Sequence, residues 1–393
     1  GHVARVVGGC VRNSLFAQLS GNHDGSSATT DIDFATTATP NETEDLAADA
    51  GLRTVPTGLK HGTVTVIAGG KGFEVTTLRR DVATDGRHAE VAFTDDWAVD
   101  AARRDLTINA LYADADGTIF DPLGGFDDLR DRNIRFVGDA TTRIREDYLR
   151  ILRFFRFFAQ YGADQPDVAG LAACVAERAG LARLSAERVH QEVMKLLVAP
   201  GAVTTLRIMM EHGLLGEILP AVANVSRLER LIEVDSTGDR ALRLGALSVV
   251  VEEDAQRLAR RLRLSRQETA VLQLAARNQE TDCFQPLDDK AARQLLYRYG
   301  AEDYIRLVTF QRAANADSLR NKRWANLSQL PDIWPLPTFP IKGEDLIDLG
   351  LAPGKAMGVI LKELEQRWLR SDFQLDRRSL LSDAATLVVT AKE

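Results

Sequence analysis

Cysteine is scarce in this 393-residue chain: Cys10, Cys174 and Cys283 are odd in number and far apart. That excludes a disulfide scaffold and a cysteine-built zinc site, and it suits a reducing compartment such as the cytoplasm. Histidine is also sparse, six residues without a His-x-x-x-His spacing, which argues against a histidine-built metal centre. No uninterrupted apolar stretch approaches the ~20 residues of a membrane-spanning helix, so no membrane is expected as a partner. The residues given open on Gly1-His2 without a charged-then-apolar leader. An excess of positive charge is missing too: 49 Lys+Arg against 56 Asp+Glu leave −7, which excludes a generally basic nucleic-acid coat but not a local basic patch.

What is present describes a globular protein, 45% hydrophobic and 27% charged, long enough for two or three cores. Residues 3–7 form a short apolar run that breaks at Gly8-Gly9. Residues 63–68 (TVTVIA) alternate with period two and residues 73–78 (FEVTTL) repeat the habit, with a glycine-rich hairpin turn between them. Residues 20–30 read as a polar loop. From about residue 141 the period becomes helical, with helices expected over 144–161, 186–198, 204–215, 255–264, 270–276 and 355–369. Four prolines between Pro331 and Pro340 mark a linker. The expected fold is α+β: a head with a mixed β-sheet flanked by helices (1–138), then an elongated all-α remainder of neck (139–200), body (201–330) and tail (331–393).

Three motifs carry chemistry. In the first, Gly8-Gly9-Cys10-Val11-Arg12 precedes Asp31-Ile32-Asp33. Residues two apart on a strand share a face, so Asp31 and Asp33 point together, and two adjacent carboxylates repel unless a cation lies between them. Hard oxygen ligands of this kind suit Mg²⁺, which also accepts phosphate oxygens. The second is Arg103-Arg104-Asp105-Leu106-Thr107-Ile108-Asn109, where arginines beside an acid and an amide suit a triphosphate and a ribose hydroxyl. The third is Glu146-Asp147-Tyr148-Leu149-Arg150-Ile151-Leu152-Arg153. Asp147, Arg150 and Arg153 lie three apart and so line one helix face. Asp147 can then accept from the amino group of cytosine or adenine while Arg150 donates to the adjacent ring nitrogen. Guanine and uracil present the reverse order, and a site left with unpaired buried groups rejects by ~10⁴ in favourable cases.

Taken together, in this order and spacing, the motifs resemble the class II nucleotidyltransferase superfamily, and most of all the CCA tRNA nucleotidyltransferases. The similarity covers essentially the whole chain; Asp121-Pro122-Leu123-Gly124-Gly125 and Leu184-Ser185-Ala186-Glu187-Arg188 extend it. The resemblance implies an enzyme that adds C, C and A to the 3′ end of tRNA from CTP and ATP, with tRNA as partner. It implies Asp31 and Asp33 as ligands of the catalytic Mg²⁺, with Glu74 as a third carboxylate. Gly9, Arg12 and Arg104 would hold the triphosphate, with Asp105 and Asn109 near sugar and phosphates. Asp147 and Arg150 would read the base, supported by Arg153 and Arg156. Residues 85–93 resemble the family's flexible loop, and the Gly343 and Gly350–Gly358 segments its C-terminal part. Two departures stand out: Asn13 occupies a position usually held by Asp, and the interval from Asn13 to Asp31 is long. A poly(A) polymerase, a partial CC- or A-adding enzyme and a non-catalytic tRNA-binding protein are the alternatives. Oligomeric state is not readable from the sequence, a monomer being compatible with it. Arg257, Arg260, Arg261, Arg263 and Arg266, and Arg320, Lys322 and Arg323, are candidate phosphate contacts.

Overall fold

The structure is a computed structural model, and it describes residues 1–21, 32–85, 88–280, 287–314 and 316–390. Asp31, the polar segment 22–30 and Cys283 lie outside the described residues. The chain divides into two compact units, Gly1–Val225 with Arg257–Ser265, and Ser226–Gln256 with Arg266–Glu393.

The first unit begins with β1 (Ala4–Val7), α1 (Gly9–Leu19), β2 (Asp33–Thr36), α2 (Pro40–Asp49), β3 (Arg53–Gly58), β4 (Thr63–Ala68) and β5 (Lys71–Thr77). β6 (Arg79–Asp85), β7 (His88–Phe93), α3 (Trp97–Ala102), β8 (Tyr112–Ala113), β9 (Ile119–Phe120) and α4 (Gly125–Arg130) follow. Seven strands form one mixed sheet in the order β3-β4-β5-β2-β1-β8-β9, in which β2 and β5 run parallel and the other pairs antiparallel. The expected hairpin joins β4 to β5 through Gly69-Gly70, both at positive φ (57° and 76°), which a two-residue turn of this hand demands. Thr39 and Glu42 form a capping box that starts α2, and Asp96 caps α3 by accepting from the N–H groups of Ala98 and Val99. Of the segment 85–93, expected as a flexible loop, Asp85 and residues 88–93 belong to a ribbon in which β6 pairs antiparallel with β7, apart from the main sheet; Gly86 and Arg87 lie outside the described residues.

The helices α5 (Ala140–Glu146), α6 (Leu149–Tyr161), α7 (Val168–Ala176) and α8 (Ala186–Leu196) continue the unit. The single helix expected over 144–161 is in fact two. Asp147 is extended (φ −156°, ψ 106°) and ends α5, while its Oδ1 accepts from the Leu149 N–H at 3.1 Å and its carbonyl from the Arg150 N–H at 3.0 Å. A short acid side chain competes for backbone N–H groups, so it closes the first turn of α6 rather than riding inside a helix. Asp147 therefore does not share a helix face with Arg150 and Arg153. Behind the joint, α6 buries Ile151, Phe154, Phe155 and Phe158. Phe136 stacks on Phe154 with centroids 5.2 Å apart, anchoring α6 to the strand-rich part of the unit.

The second unit is helical and holds a core of Ile341, Leu346, Ile360, Leu364, Trp368 and Leu380, against which Tyr297 packs from the helix Asp289–Ala313. The proline-rich stretch thus runs within one unit, with Trp334 against Phe373 at 5.1 Å. Among the described residues no helix is long and apolar enough to cross a membrane.

The Asp147 joint depends on a glycine. Tyr148 lies flat against Gly180, where an added Cβ would fall 1.9 Å from Tyr148 Cδ1. Gly180→Ala is expected to destabilise the first unit by about 1–3 kcal/mol, read as a lower urea midpoint at unchanged slope.

Candidate nucleotide and metal site

Three strands line up side by side at one end of the sheet. Val7 of β1 is in register with Asp33 of β2, and Asp33 with Glu74 of β5. Residues in register on neighbouring strands share a face, so Asp33 and Glu74, both exposed, form a pair of adjacent carboxylates. Among the described residues no group of three or more His, Cys, Asp or Glu is placed to hold a metal. The two carboxylates suit a hard divalent cation, because two like charges on adjacent strands are stabilised by an intervening ion.

Gly8 follows Val7 directly, with φ 74° and its N–H donated to the Leu111 carbonyl at 3.0 Å, and α1 starts at Gly9. The turn points the α1 N-terminus, with its free N–H groups, toward the end of the sheet that carries Asp33. Arg12, one turn into α1, is only 8% exposed. Its Nη1 donates to Asn109 Oδ1, and its Nε (3.1 Å) and Nη2 (2.8 Å) donate to Asn13 Oδ1, which also accepts from the Tyr161 hydroxyl at 2.7 Å. The rings of Phe157 and Tyr161 lie 4.8 and 4.7 Å from its guanidinium carbon. Burial pulls the guanidinium below its ordinary pKa, and Tyr161 and Asp105 only partly oppose that. A buried cation whose acceptors are amide oxygens is a demand for an anion.

Arg104 lies on the other side of Gly8, its Nη1 3.4 Å from the Asn109 carbonyl and its Nη2 3.1 Å from Asp100 Oδ2. Asn109 lies in the 3₁₀ turn Thr107–Asn109 and donates its Nδ2 to Asp105 Oδ1 at 2.9 Å. Asp105 Oδ2 accepts from Arg153 Nε of α6 at 2.6 Å. Burial would raise the Asp105 carboxyl, but Arg153, Asn109 and the Leu106 N–H outweigh it and hold the group below the usual range. One string of hydrogen bonds, Arg12–Asn109–Asp105–Arg153, therefore ties α1 to α6.

The base-reading candidates sit at the near end of α6. Asp147 Oδ2 accepts from Arg188 of α8 at 2.6 Å. Arg150 Nη1 donates to the Arg143 carbonyl at 2.9 Å and to Glu146 at 2.5 Å. Asp147 and Arg150 are thus held by separate partners rather than by each other. Arg156 pairs with the buried Glu192 of α8 at 2.5 Å. Sequence reasoning singled out neither Arg188 nor Glu192; both belong to the segment opening at Ser185, three and seven residues on, a spacing that puts them on one helix face. Of the basic clusters, Arg257, Arg260, Arg263 and Arg266 are exposed; Arg263 pairs with Glu187 at 2.5 Å, and Arg323 is tied to the Leu287 carbonyl and Asp289.

Comparison with known proteins gives two family matches, the Poly A polymerase head domain over residues 4–135 and the Probable RNA and SrmB- binding site of polymerase A over residues 170–225. The mitochondrial CCA tRNA nucleotidyltransferase 1 of Homo sapiens is 36% identical over 97% of this chain and 86% of that protein. The CCA-adding enzyme of Streptococcus gordonii is 32% identical over 93% and 88%. Among solved structures, the Bacillus stearothermophilus CCA-adding enzyme in complex with CTP superposes with a TM-score of 0.76, at 25% identity, over 100% of this chain and 95% of that one. The Thermotoga maritima CCA-adding enzyme complexed with tRNA shares the fold with a TM-score of 0.67, at 20% identity, over 100% and 92%.

The depressed Asp105 carboxyl sets a pH dependence. Its stabilisation is present above the unfolded value of about 4 and is lost as pH falls through the lower folded value. Arg153 is about one third exposed, so Arg153→Met is expected to cost roughly 1–3 kcal/mol at pH 7. Urea unfolding of parent and variant should show that gap closing once the pH drops well below 4.

Proposed function

The chain belongs to the family of CCA tRNA nucleotidyltransferases, and from that we propose that it adds C, C and A to the 3′ end of tRNA, using CTP and ATP and releasing pyrophosphate. The single observation that carries the reading is the string from Arg12 to Arg153. It binds the Gly-Gly turn and the base-reading helix into one site, so a nucleotide can have its triphosphate and its base recognised together.

Enzymes of this family generally use divalent metal ions. We take the ion to be Mg²⁺, which Asp33 with Asp31 and Glu74 would hold; it would supply a lowered pKa of the RNA 3′-hydroxyl and charge stabilisation on the phosphates. The protein's own part is positioning. The α1 N-terminus after Gly8-Gly9, the uncompensated Arg12 and Arg104 take the triphosphate, leaving the α-phosphorus open to in-line attack. Asp105 and Asn109 keep Arg12 and Arg153 in place beside the sugar.

Asp147 accepts from the amino group of C or A, and Arg150 donates to the ring nitrogen. Arg150 Nη2 has no other partner among the described residues and serves this purpose, while Glu146 holds Nη1. Arg156, clamped by Glu192, supports the same wall. The tRNA acceptor arm would be met by shape and backbone phosphates, with Arg257, Arg260 and Arg263 as exposed candidate contacts. We read the head and neck segments as lying within the first unit and the tail within the second, and the working compartment as the cytoplasm.

Incubation with Mg²⁺, labelled CTP and ATP, and tRNAs ending before the first C, the second C or the final A tests the assignment. Three additions followed by a stop are expected. A long A tract would make the protein a poly(A) polymerase, a stop after two C residues a partial enzyme, and no incorporation a tRNA-binding protein. Asp33→Ala should lower incorporation by ~10³-fold, because a metal's charge stabilisation is worth several kcal/mol, with the thermal midpoint preserved.

A further inference from the structure

Arg104 is supported by residues that the sequence motifs do not include. Asp100, at the heart of α3, is 1% exposed. Its Oδ1 accepts from Arg103 Nε at 2.8 Å and from the Arg79 N–H at 3.3 Å; its Oδ2 accepts from Arg104 Nη2 at 3.1 Å and from the Tyr112 hydroxyl at 2.7 Å. Tyr112, fully buried on β8 in register with Val7, closes the ring by accepting from Arg104 Nε at 3.3 Å. Its ring also lies 5.2 Å from the Arg104 guanidinium carbon.

Nε and Nη2 are occupied, while Nη1 makes only a long contact, 3.4 Å, to the Asn109 carbonyl and faces the Gly8 turn, where an added Cβ on Gly8 would stand 3.7 Å from it. Its second N–H is left for a ligand. A free arginine loses rotamer freedom when it binds, whereas one already fixed by the fold has lost it beforehand. Neutralisation by Asp100 is incomplete, because one carboxylate serves both Arg103 and Arg104. The cluster is rigid and still net positive.

We infer that Asp100 and Tyr112 are positioning residues for Arg104, presetting its guanidinium against the Gly8-Gly9 turn so that it meets the triphosphate of either incoming nucleotide. The inference rests on the reading of Arg104 as a phosphate ligand. It predicts an effect on phosphate binding that is common to CTP and ATP and indifferent to tRNA.

Two variants of the full chain test it. Tyr112→Phe keeps the ring and removes the hydroxyl; Asp100→Asn keeps the shape and removes the charge. Binding of inorganic tripolyphosphate is measured by calorimetry, alongside KM for CTP, ATP and tRNA. Tyr112→Phe is expected to weaken tripolyphosphate and raise both nucleotide KM values by one common factor of ~3–10, and Asp100→Asn by ~10-fold or more, with KM for tRNA unchanged. A Tyr112→Phe variant that binds tripolyphosphate like the parent, or that loses kcat at unchanged nucleotide KM, overturns the inference. Should Asp100→Asn fail to fold, Tyr112→Phe decides alone. If the parent binds tripolyphosphate but extends no tRNA, the assigned reaction falls while the positioning role is judged on binding. A parent that does not bind tripolyphosphate overturns the role of Arg104 and this inference together.

Discussion

The amide of Asn109 holds the site together. A guanidinium only donates and a carboxylate only accepts, so a side chain placed between Arg12 and Asp105 must accept at one end and donate at the other. Asn109 does both, with Oδ1 toward Arg12 and Nδ2 toward Asp105. Turning the amide over would set donor against donor and acceptor against acceptor, and in a buried setting each mismatch costs about a full desolvation penalty, ~1–3 kcal/mol. The string therefore has one direction. It ties a helix near the amino end to another about 140 residues later, the two walls of the candidate site.

Charge is distributed unevenly along those walls. Arg104, Arg150, Arg153, Arg156 and Arg188 each rest on a carboxylate: Asp100, Glu146, Asp105, Glu192 and Asp147. Arg12 rests on amide oxygens. The paired arginines act as struts whose positions are settled before any ligand arrives, while Arg12 keeps its full charge beside the α1 N-terminus. Asn13 contributes to this contrast. As a neutral acceptor for both Arg12 and Tyr161 it orients the guanidinium without cancelling it, where an aspartate would do both.

Much of this was legible in the sequence because it is local. The alternation of residues 63–68 and the Gly69-Gly70 turn specify a hairpin within a dozen residues, and the helical period locates α8. The ribbon β6–β7 was not legible, since its polar, mixed composition carries no alternation to set against a loop. The in-register pairing of Asp33 with Glu74 was legible only by resemblance, because it depends on a parallel contact between strands forty residues apart. Asp100 and Tyr112 gave no signal at all: an acid in a short helix and an aromatic on a two-residue strand acquire meaning only when folding brings them to Arg104. The break at Asp147 was missed for a different reason. The apolar period runs unbroken through residues 144–161, and Asp147, two residues before Leu149, is a helix-start signal that the period outvoted.

That break changes how the pair proposed to read the base is built. On a continuous helix the separation of Asp147 from Arg150 would follow from the helical rise alone, and any sequence preserving the spacing would preserve the pair. With Asp147 in the joint, its carboxylate is oriented by the backbone turn it caps and by Arg188 reaching from α8, while Arg150 is oriented by Glu146 and the Arg143 carbonyl at the end of α5. Acceptor and donor are thus steered by different helices. Tyr148, at the joint, packs against Gly180 in the 3₁₀ turn that precedes α8. On the proposed reading, the spacing that would separate C and A from G and U is a property of how α5, α6 and α8 pack. Selectivity in such a site is exposed to substitutions that never touch a nucleotide, and the close contact at Gly180 is where the smallest added volume would be felt most.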